Sequence, residues 1–267
     1  MFTRTGTGSS AATGSGTTHA ANSGVITKTF PTTISVEPYP EADKFVAFSI
    51  DDTFNTDTND LLDVIEELGI KVTFYASGSR LGKVKTNPEM RRVLDRMLAA
   101  GHEIANHAYQ HERWGGGVNL DVMRADFKRN QDLIYELTGK NTQWMRLPYH
   151  SSSADAYMAM GELGLSNSWG VDSNDWNIAN SSSYLINRYL TLTGNHALQD
   201  GQVYVHHDQQ SQTNTRYALP EIVHELRSRG YGFMTTSELR LHRNFPVLPG
   251  VNYNNFFERK IRFPRTP

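Results

Sequence analysis

From residue 44 onward the chain alternates short apolar runs with amphipathic helical patterns, and few folds accommodate that alternation. Residues 45–50 form an apolar and aromatic run that reads as a buried strand. After Asp57-Thr58-Asn59-Asp60, which reads as a capping segment, Leu61, Leu62, Val64, Ile65 and Leu68 recur at helical spacing and stop near Gly69. Residues 71–76, 102–105, 144–147, 166–172, 202–207 and 231–235 read as further strands. Helical patterns fall between them, over 90–98 closed by Gly101, 118–137 closed by Gly139, 158–163, 184–192 and 219–229. About seven strand–helix units call for a parallel sheet, so the expected fold is α/β, a distorted (β/α)7-8 barrel of parallel strands with outer helices. No glycine-rich phosphate loop follows the first strand, which argues against a nucleotide-binding fold.

At 267 residues the chain suits one such barrel, since these run to roughly 200–250 residues. The expected organisation is a Gly/Ser/Thr-rich flexible leader over residues 1–33 and a single barrel domain over 34–267. The leader has no apolar stretch of the length a signal peptide or a membrane span needs. The net charge is -2 with dispersed basic residues, which gives no nucleic-acid or anionic-membrane surface. There are no cysteines, so any metal must sit on nitrogen and oxygen ligands.

The polar residues fall where a parallel barrel does its chemistry, at the C-terminal ends of strands. Asp51 and Asp52, His107 and His111, Arg146, Asp172 and Asp175, and His206 and His207 each follow a different strand. Adjacent carboxylates repel one another, and a site that keeps both gives one to a cation and leaves the other to handle protons. One Asp and two His suffice to hold a divalent metal with positions left open, which points to a metal-assisted hydrolase. His206 and His207 compete for one role, because Val203, Val205 and His207 share one strand face while Tyr204 and His206 share the other. His102 precedes its strand at the far end of the barrel and reads as structural; His150, His196, His224 and His242 have no motif context and read as solvated or structural.

Over residues 44–240 the chain resembles the polysaccharide deacetylases of carbohydrate esterase family 4, which share the chitooligosaccharide deacetylase homology domain. Ile50-Asp51-Asp52 resembles the family's first motif, and Gly101-His102-Glu103-Ile104-Ala105-Asn106-His107-Ala108-Tyr109-Gln110-His111 its long and specific second one. Arg146-Leu147-Pro148-Tyr149, Asp172-Ser173-Asn174-Asp175-Trp176 and Val205-His206-His207-Asp208 resemble the third, fourth and fifth, all in family order.

The resemblance implies that Asp52, His107 and His111 hold the metal, zinc first with cobalt or nickel as alternatives. It implies Asp51 as the base, oriented by Arg146, and His207 as the general acid, oriented by Asp175. It further implies that the Tyr149 backbone N–H helps to stabilise the oxyanion and that Trp176 and Val205 wall a small apolar pocket for the acetyl methyl. Selection of His207 over His206 follows from the family pattern, which puts the pocket aliphatic residue and the acid on one face. The implied substrate and partner is an acetylated glycan built on N-acetylglucosamine, of the chitin, chitooligosaccharide or peptidoglycan type, and the implied location is secreted or wall-associated. An O-acetyl ester, a non-sugar amide or a cyclic imide stays open as an alternative on the same metal site. Two departures lie near the mouth: Thr53-Phe54-Asn55 stands where most members have Gly-Pro, and His150 where most have Gly. Both are expected to alter substrate fit and to leave the proton-transfer groups intact. Trp114, Tyr149 and Trp176 are candidate sugar platforms, with a core position the competing reading for each. The segment from Leu241 on is expected to wrap the barrel.

Overall fold

The computed structural model describes residues 41–191, 198–208, 214–244 and 248–253. The expected leader, His196 and the last fourteen residues (254–267) lie outside the described residues.

Among the described residues nine strands form one sheet: β1 (Lys44–Asp51), β2 (Val72–Ala76), β3 (Glu103–Asn106), β4 (Trp144–Met145), β5 (Ser166–Ser168), β6 (Val171–Asp172), β7 (Val203–His207), β8 (Tyr231–Met234) and β9 (Asn252–Tyr253). Every pairing is parallel, and the order is β6-β7-β1-β2-β3-β4-β5-β9, with β8 paired to the first half of β1. The result is the expected distorted barrel, curled and left open between β6 and β9. Around it lie α1 (Thr58–Glu67), α2 (Gly78–Leu81), α3 (Pro88–Ala99), α4 (Leu120–Thr138), α5 (Ala154–Glu162), α6 (Ser182–Thr191), α7 (Asn214–Ser228) and α8 (Thr236–His242).

Strand alternation sorts β1 into two faces. Val46, Phe48 and Ile50 join Val72, Phe74 and the apolar stripes of α1, α3 and α7, including Leu62, Ile65, Leu94, Ile222 and Val223, in the main core. Ala47, on the opposite face, packs with Tyr75, Ala105, Trp144, Val203 and Leu239 inside the curl. Ser49 and Asp51 continue that inner row toward the C-terminal end of the strand, so the pleat that buries the outer residues also aims Asp51 inward.

Helix boundaries follow capping chemistry. Asn87 accepts from the Glu89 and Met90 N–H groups, Asn119 caps α4, and Gly139 ends it at φ 69°. At α1 the cap differs from the expectation, because the Asp57 side chain makes no cap bond. Asn55 Oδ1 accepts the Asp57 N–H at 2.7 Å and Thr58 Oγ1 accepts the Asn55 N–H at 2.9 Å, which ties the helix start to the loop carrying Asp52. α5 starts at Ala154, ahead of its apolar repeat, because Ser153 accepts the Ala156 N–H. The run read as one strand over 166–172 is two strands, parted at Trp169-Gly170; a Cβ on Gly170 would sit 2.7 Å from the Val203 carbonyl oxygen. Past Leu241, residues 248–253 return along the sheet and β9 pairs with β5, which agrees with a wrapping segment.

Candidate active site

The ends of β1, β3, β4, β6 and β7 converge on one cleft of about 330 Å³, lined by Asp51, Asp52, His107, His111, Tyr149, Trp176 and His207 together with Arg113, His150 and Asp172. Asp51 is the last residue of β1 and Asp52 follows it with φ 66°, in the left-handed region. That reversal turns the next side chain back toward the cleft, where an extended residue would point away. Arg80 holds the turn by donating to the Asp52 carbonyl oxygen.

The loop after β3 is fixed as firmly. Ala108 has φ 59° and its N–H donates to Asn106 Oδ1 at 2.9 Å, while the Tyr109 and Gln110 N–H groups donate to the Asp126 carboxylate at 2.7 and 2.9 Å. His107 Nδ1 lies 2.8 Å from the Arg146 carbonyl oxygen, a partner that takes a proton on Nδ1 and leaves the Nε2 lone pair facing the cleft. His111 Nδ1 lies 3.2 Å from the Tyr149 hydroxyl, and His111 Nε2 is 3.0 Å from Asp52 Oδ1. One atom each from Asp52, His107 and His111 falls within 4.8 Å of the others. Two imidazoles, each with its other ring nitrogen already engaged, and a carboxylate oxygen fit a divalent ion of the zinc type with room for further ligands. Burial opposes charge on Asp52, but hydrogen bonding to His111 and the nearby imidazoles outweigh it and hold the carboxyl below the usual carboxylate range.

Two ion pairs flank this trio. On one side Arg146, fully buried, donates to Asp51 Oδ1 at 2.6 Å and to Ser49 Oγ at 2.9 Å, while its Nε–H donates to the Ser168 carbonyl at 2.8 Å. The guanidinium carbon sits 4.0 Å from the centroid of the Tyr75 ring. On the other side His207 Nδ1 meets Asp175 Oδ1 at 2.7 Å, and Asp175 Oδ2 accepts from the His207 N–H at 2.9 Å and the Thr215 hydroxyl at 2.5 Å. Burial alone would drive His207 neutral, yet the Asp175 carboxylate overrides it and raises the imidazole to about 9. Burial likewise opposes charge on Asp175, and His207 overrides it to hold that carboxyl at about 2. Asp172, Asp175 and His207 also come within 4.8 Å of one another, but the shared proton makes His207 and Asp175 a hydrogen-bonded acid pair.

His206 occupies the opposite face of β7, buried, with Nε2 2.8 Å from the Tyr189 hydroxyl. Burial lowers its pKa to about 4. His102 is buried far from the cleft and accepts the Val72 N–H on Nδ1 at 3.1 Å. These agree with the structural reading of both. Other expectations need correction. Val205 is fully buried against Gly170 and does not reach the cleft surface, so it backs the wall without lining it. Trp114 is buried edge-on against Phe127, whereas Tyr149 and Trp176 are half exposed at the mouth. His150 lines the cleft, its ring 3.7 Å from that of Trp169, because Tyr149 and His150 are both left-handed (φ 55° and 54°). The sequence reading also missed Arg113, two residues beyond His111, and the Tyr149 hydroxyl contact to that histidine.

The sequence model for polysaccharide deacetylase matches residues 39–168. A bifunctional xylanase/deacetylase of Pseudobutyrivibrio xylanivorans is 30% identical over 215 residues, 79% of this chain and 32% of that protein. The peptidoglycan-N-acetylmuramic acid deacetylase PdaC of Bacillus subtilis is 30% identical over 200 residues, 73% of this chain and 38% of that protein. The chain thus spans under half the length of these relatives. Among solved structures, the Xyl-CE4 domain of a multidomain xylanase from the hindgut metagenome of Trinervitermes trinervoides superposes with a TM-score of 0.71 at 27% identity, over 81% of this chain and 98% of that one. The parallel barrel described above agrees with that fold. The match over residues 39–168 shows a polysaccharide deacetylase domain, and the chain is similar over most of its length to proteins of carbohydrate esterase family 4.

Proposed function

We propose that this chain is a divalent-metal-dependent deacetylase that removes N-acetyl groups from N-acetylglucosamine-containing glycans and releases acetate. One observation carries the reading: a base held by a buried arginine and an acid held by a buried carboxylate line one cleft with the Asp52–His107–His111 trio. Zinc is the first choice of ion, with cobalt or nickel able to use the same donors. When bound, the ion supplies Lewis acidity toward a water and the acetamide oxygen.

Asp51, oriented by Arg146, takes a proton from the attacking water as the new oxygen–carbon bond forms. The Tyr149 backbone N–H is the proposed protein donor to the developing oxyanion. His207, charged through Asp175, passes a proton to the amine nitrogen as the carbon–nitrogen bond breaks. The products are acetate and the free amino sugar. Trp176, braced by its indole N–H on Asp172 Oδ2 at 3.2 Å, and Tyr149 offer faces on which a sugar ring stacks.

A second reading, hydrolysis of O-acetyl esters on a xylan-type glycan, is favoured by the xylan-related names of two of the relatives described above. The strongly held acid favours the amide, because an amine leaves poorly unless protonated. Acetate release from N-acetylglucosamine oligomers, peptidoglycan and acetylxylan, before and after chelation and metal return, separates the two. Metal-dependent release from the amide glycans supports the proposal, release from the ester alone selects the second reading, and release that ignores chelation contradicts both.

A further inference from the structure

The carboxylates lining the cleft are all engaged within the protein, by ion pairs or hydrogen bonds. Asp51 is paired with Arg146, Asp52 faces His111, and His207 is paired with Asp175. Asp172 accepts from the Asn174 N–H at 2.7 Å and from the Trp176 indole. Arg113 also lines the cleft, is exposed, and forms no ion pair among the described residues.

Arg113 is held in place all the same. Its guanidinium carbon lies 4.4 Å from the centroid of the Tyr149 ring, and the hydroxyl of that ring contacts His111, one of the three candidate metal ligands. The ring is fixed from behind by the consecutive left-handed residues Tyr149 and His150. A guanidinium stacked by its face on an aromatic ring keeps its N–H edge free, and that edge matches a carboxylate in two-point fashion. His150 adds no second cation, since burial lowers its pKa to about 4. An exposed arginine is ordinarily solvated. One stacked on the residue that touches a metal ligand, in a cleft whose carboxylates are all engaged, is placed to meet substrate.

The geometry points to Arg113 as a specificity residue that binds a carboxylate carried by the glycan close to the acetylated sugar. This rests on the deacetylase reading. Two sources offer the same chemistry, an ether-linked lactate on the sugar itself and a uronic acid branch beside it.

The test measures kcat/KM for acetate release by the metal-loaded protein on three substrates: N-acetylmuramic-acid-containing oligomers, glucuronic-acid-bearing acetylated xylo-oligosaccharides and neutral N-acetylglucosamine oligomers. Arg113→Gln and Arg113→Lys are compared with wild type, and the readout is the carboxylate-to-neutral ratio. Wild type favours one carboxylate substrate, Arg113→Gln lowers that ratio roughly tenfold, as loss of a charge-assisted bond implies, and Arg113→Lys falls between. The favoured ratio also shrinks with added salt. The substrate whose ratio responds identifies the source. A ratio that Arg113→Gln leaves unchanged, or a wild type with no carboxylate preference, overturns the inference while the deacetylase reading stands. A wild type that releases acetate from no glycan overturns that reading, and this inference with it.

Discussion

β1 and β7 are neighbours in the sheet, paired in register with Ile50 opposite His206 and Asp51 opposite His207, and each ends in a pair of like residues. The two pairs are used differently. At the end of β1 the chain leaves the strand, and the left-handed Asp52 brings two consecutive carboxylates to one cleft. In β7 both histidines stay within the strand, so alternation sends His207 to the cleft and His206 to Tyr189 on the helix side. A single reversed backbone residue therefore decides whether an adjacent pair serves as two parts of one site or as one site residue and one core residue.

That comparison can be broken most severely at β1. Asp51→Asn is expected to lower turnover about 10³-fold with fold and metal binding kept; turnover near wild type would remove Asp51 from the proton path. At β7, His207→Ala should lower amide turnover about 10²-fold, with a smaller loss on esters; an equal loss on both bonds counts against an acid role. His206→Ala should act on stability instead, by roughly 2 kcal/mol through the lost ring and the unpartnered Tyr189 hydroxyl, seen as a lower Tm with kcat/KM retained. Loss of activity in that variant at temperatures where it stays folded would place His206 in the chemistry.

The smallest effect sharpens the contrast without a mutation. In the metal-free protein, NMR titration should show His207 charged up to about 9 and His206 neutral down to about 4. His207 has a folded pKa above its unfolded one, so the Asp175–His207 pair contributes its full stability from that group below about 6.5 and loses it as pH rises through about 9. Asp175 is shifted the other way, and its contribution is present above about 3.9 and lost as pH falls toward about 2. Coincident titration of the two histidines would mean that they share one environment, contrary to the alternation.

Much of this was legible in residue order. The strands at 45–50 and 202–207 and the long helices follow from periodicity, and the strand-end motifs placed Asp51, Asp52, His107, His111, Arg146, Asp175 and His207 in one neighbourhood. What stayed hidden depends on backbone sign and burial. Tyr149 and His150 are non-glycine residues with positive φ, which propensity disfavours, and their turn carries His150 into the cleft and seats the Tyr149 ring under Arg113. Trp114 beside Gly115-Gly116-Gly117 fits a mouth loop as well as a core position, and only the packing against Phe127 decides. Val205 has the right strand parity, but parity does not give depth, and one step below His207 it is already sealed by Gly170. α8 went unread, since its seven residues are too few for periodicity to show, and its capping box, Thr235 to Glu238, is the signal that could have found it.

The central claim is that the two adjacent carboxylates of β1 divide the work, Asp52 to the metal and Asp51 to the proton. Calorimetric zinc titration of wild type, Asp51→Asn and Asp52→Asn, each also assayed for acetate release, addresses it directly. The account predicts that Asp51→Asn binds one zinc with near wild-type affinity and releases almost no acetate, while Asp52→Asn loses both. Asp51→Asn losing zinc as completely as Asp52→Asn, or Asp52→Asn binding zinc as wild type does, would contradict it.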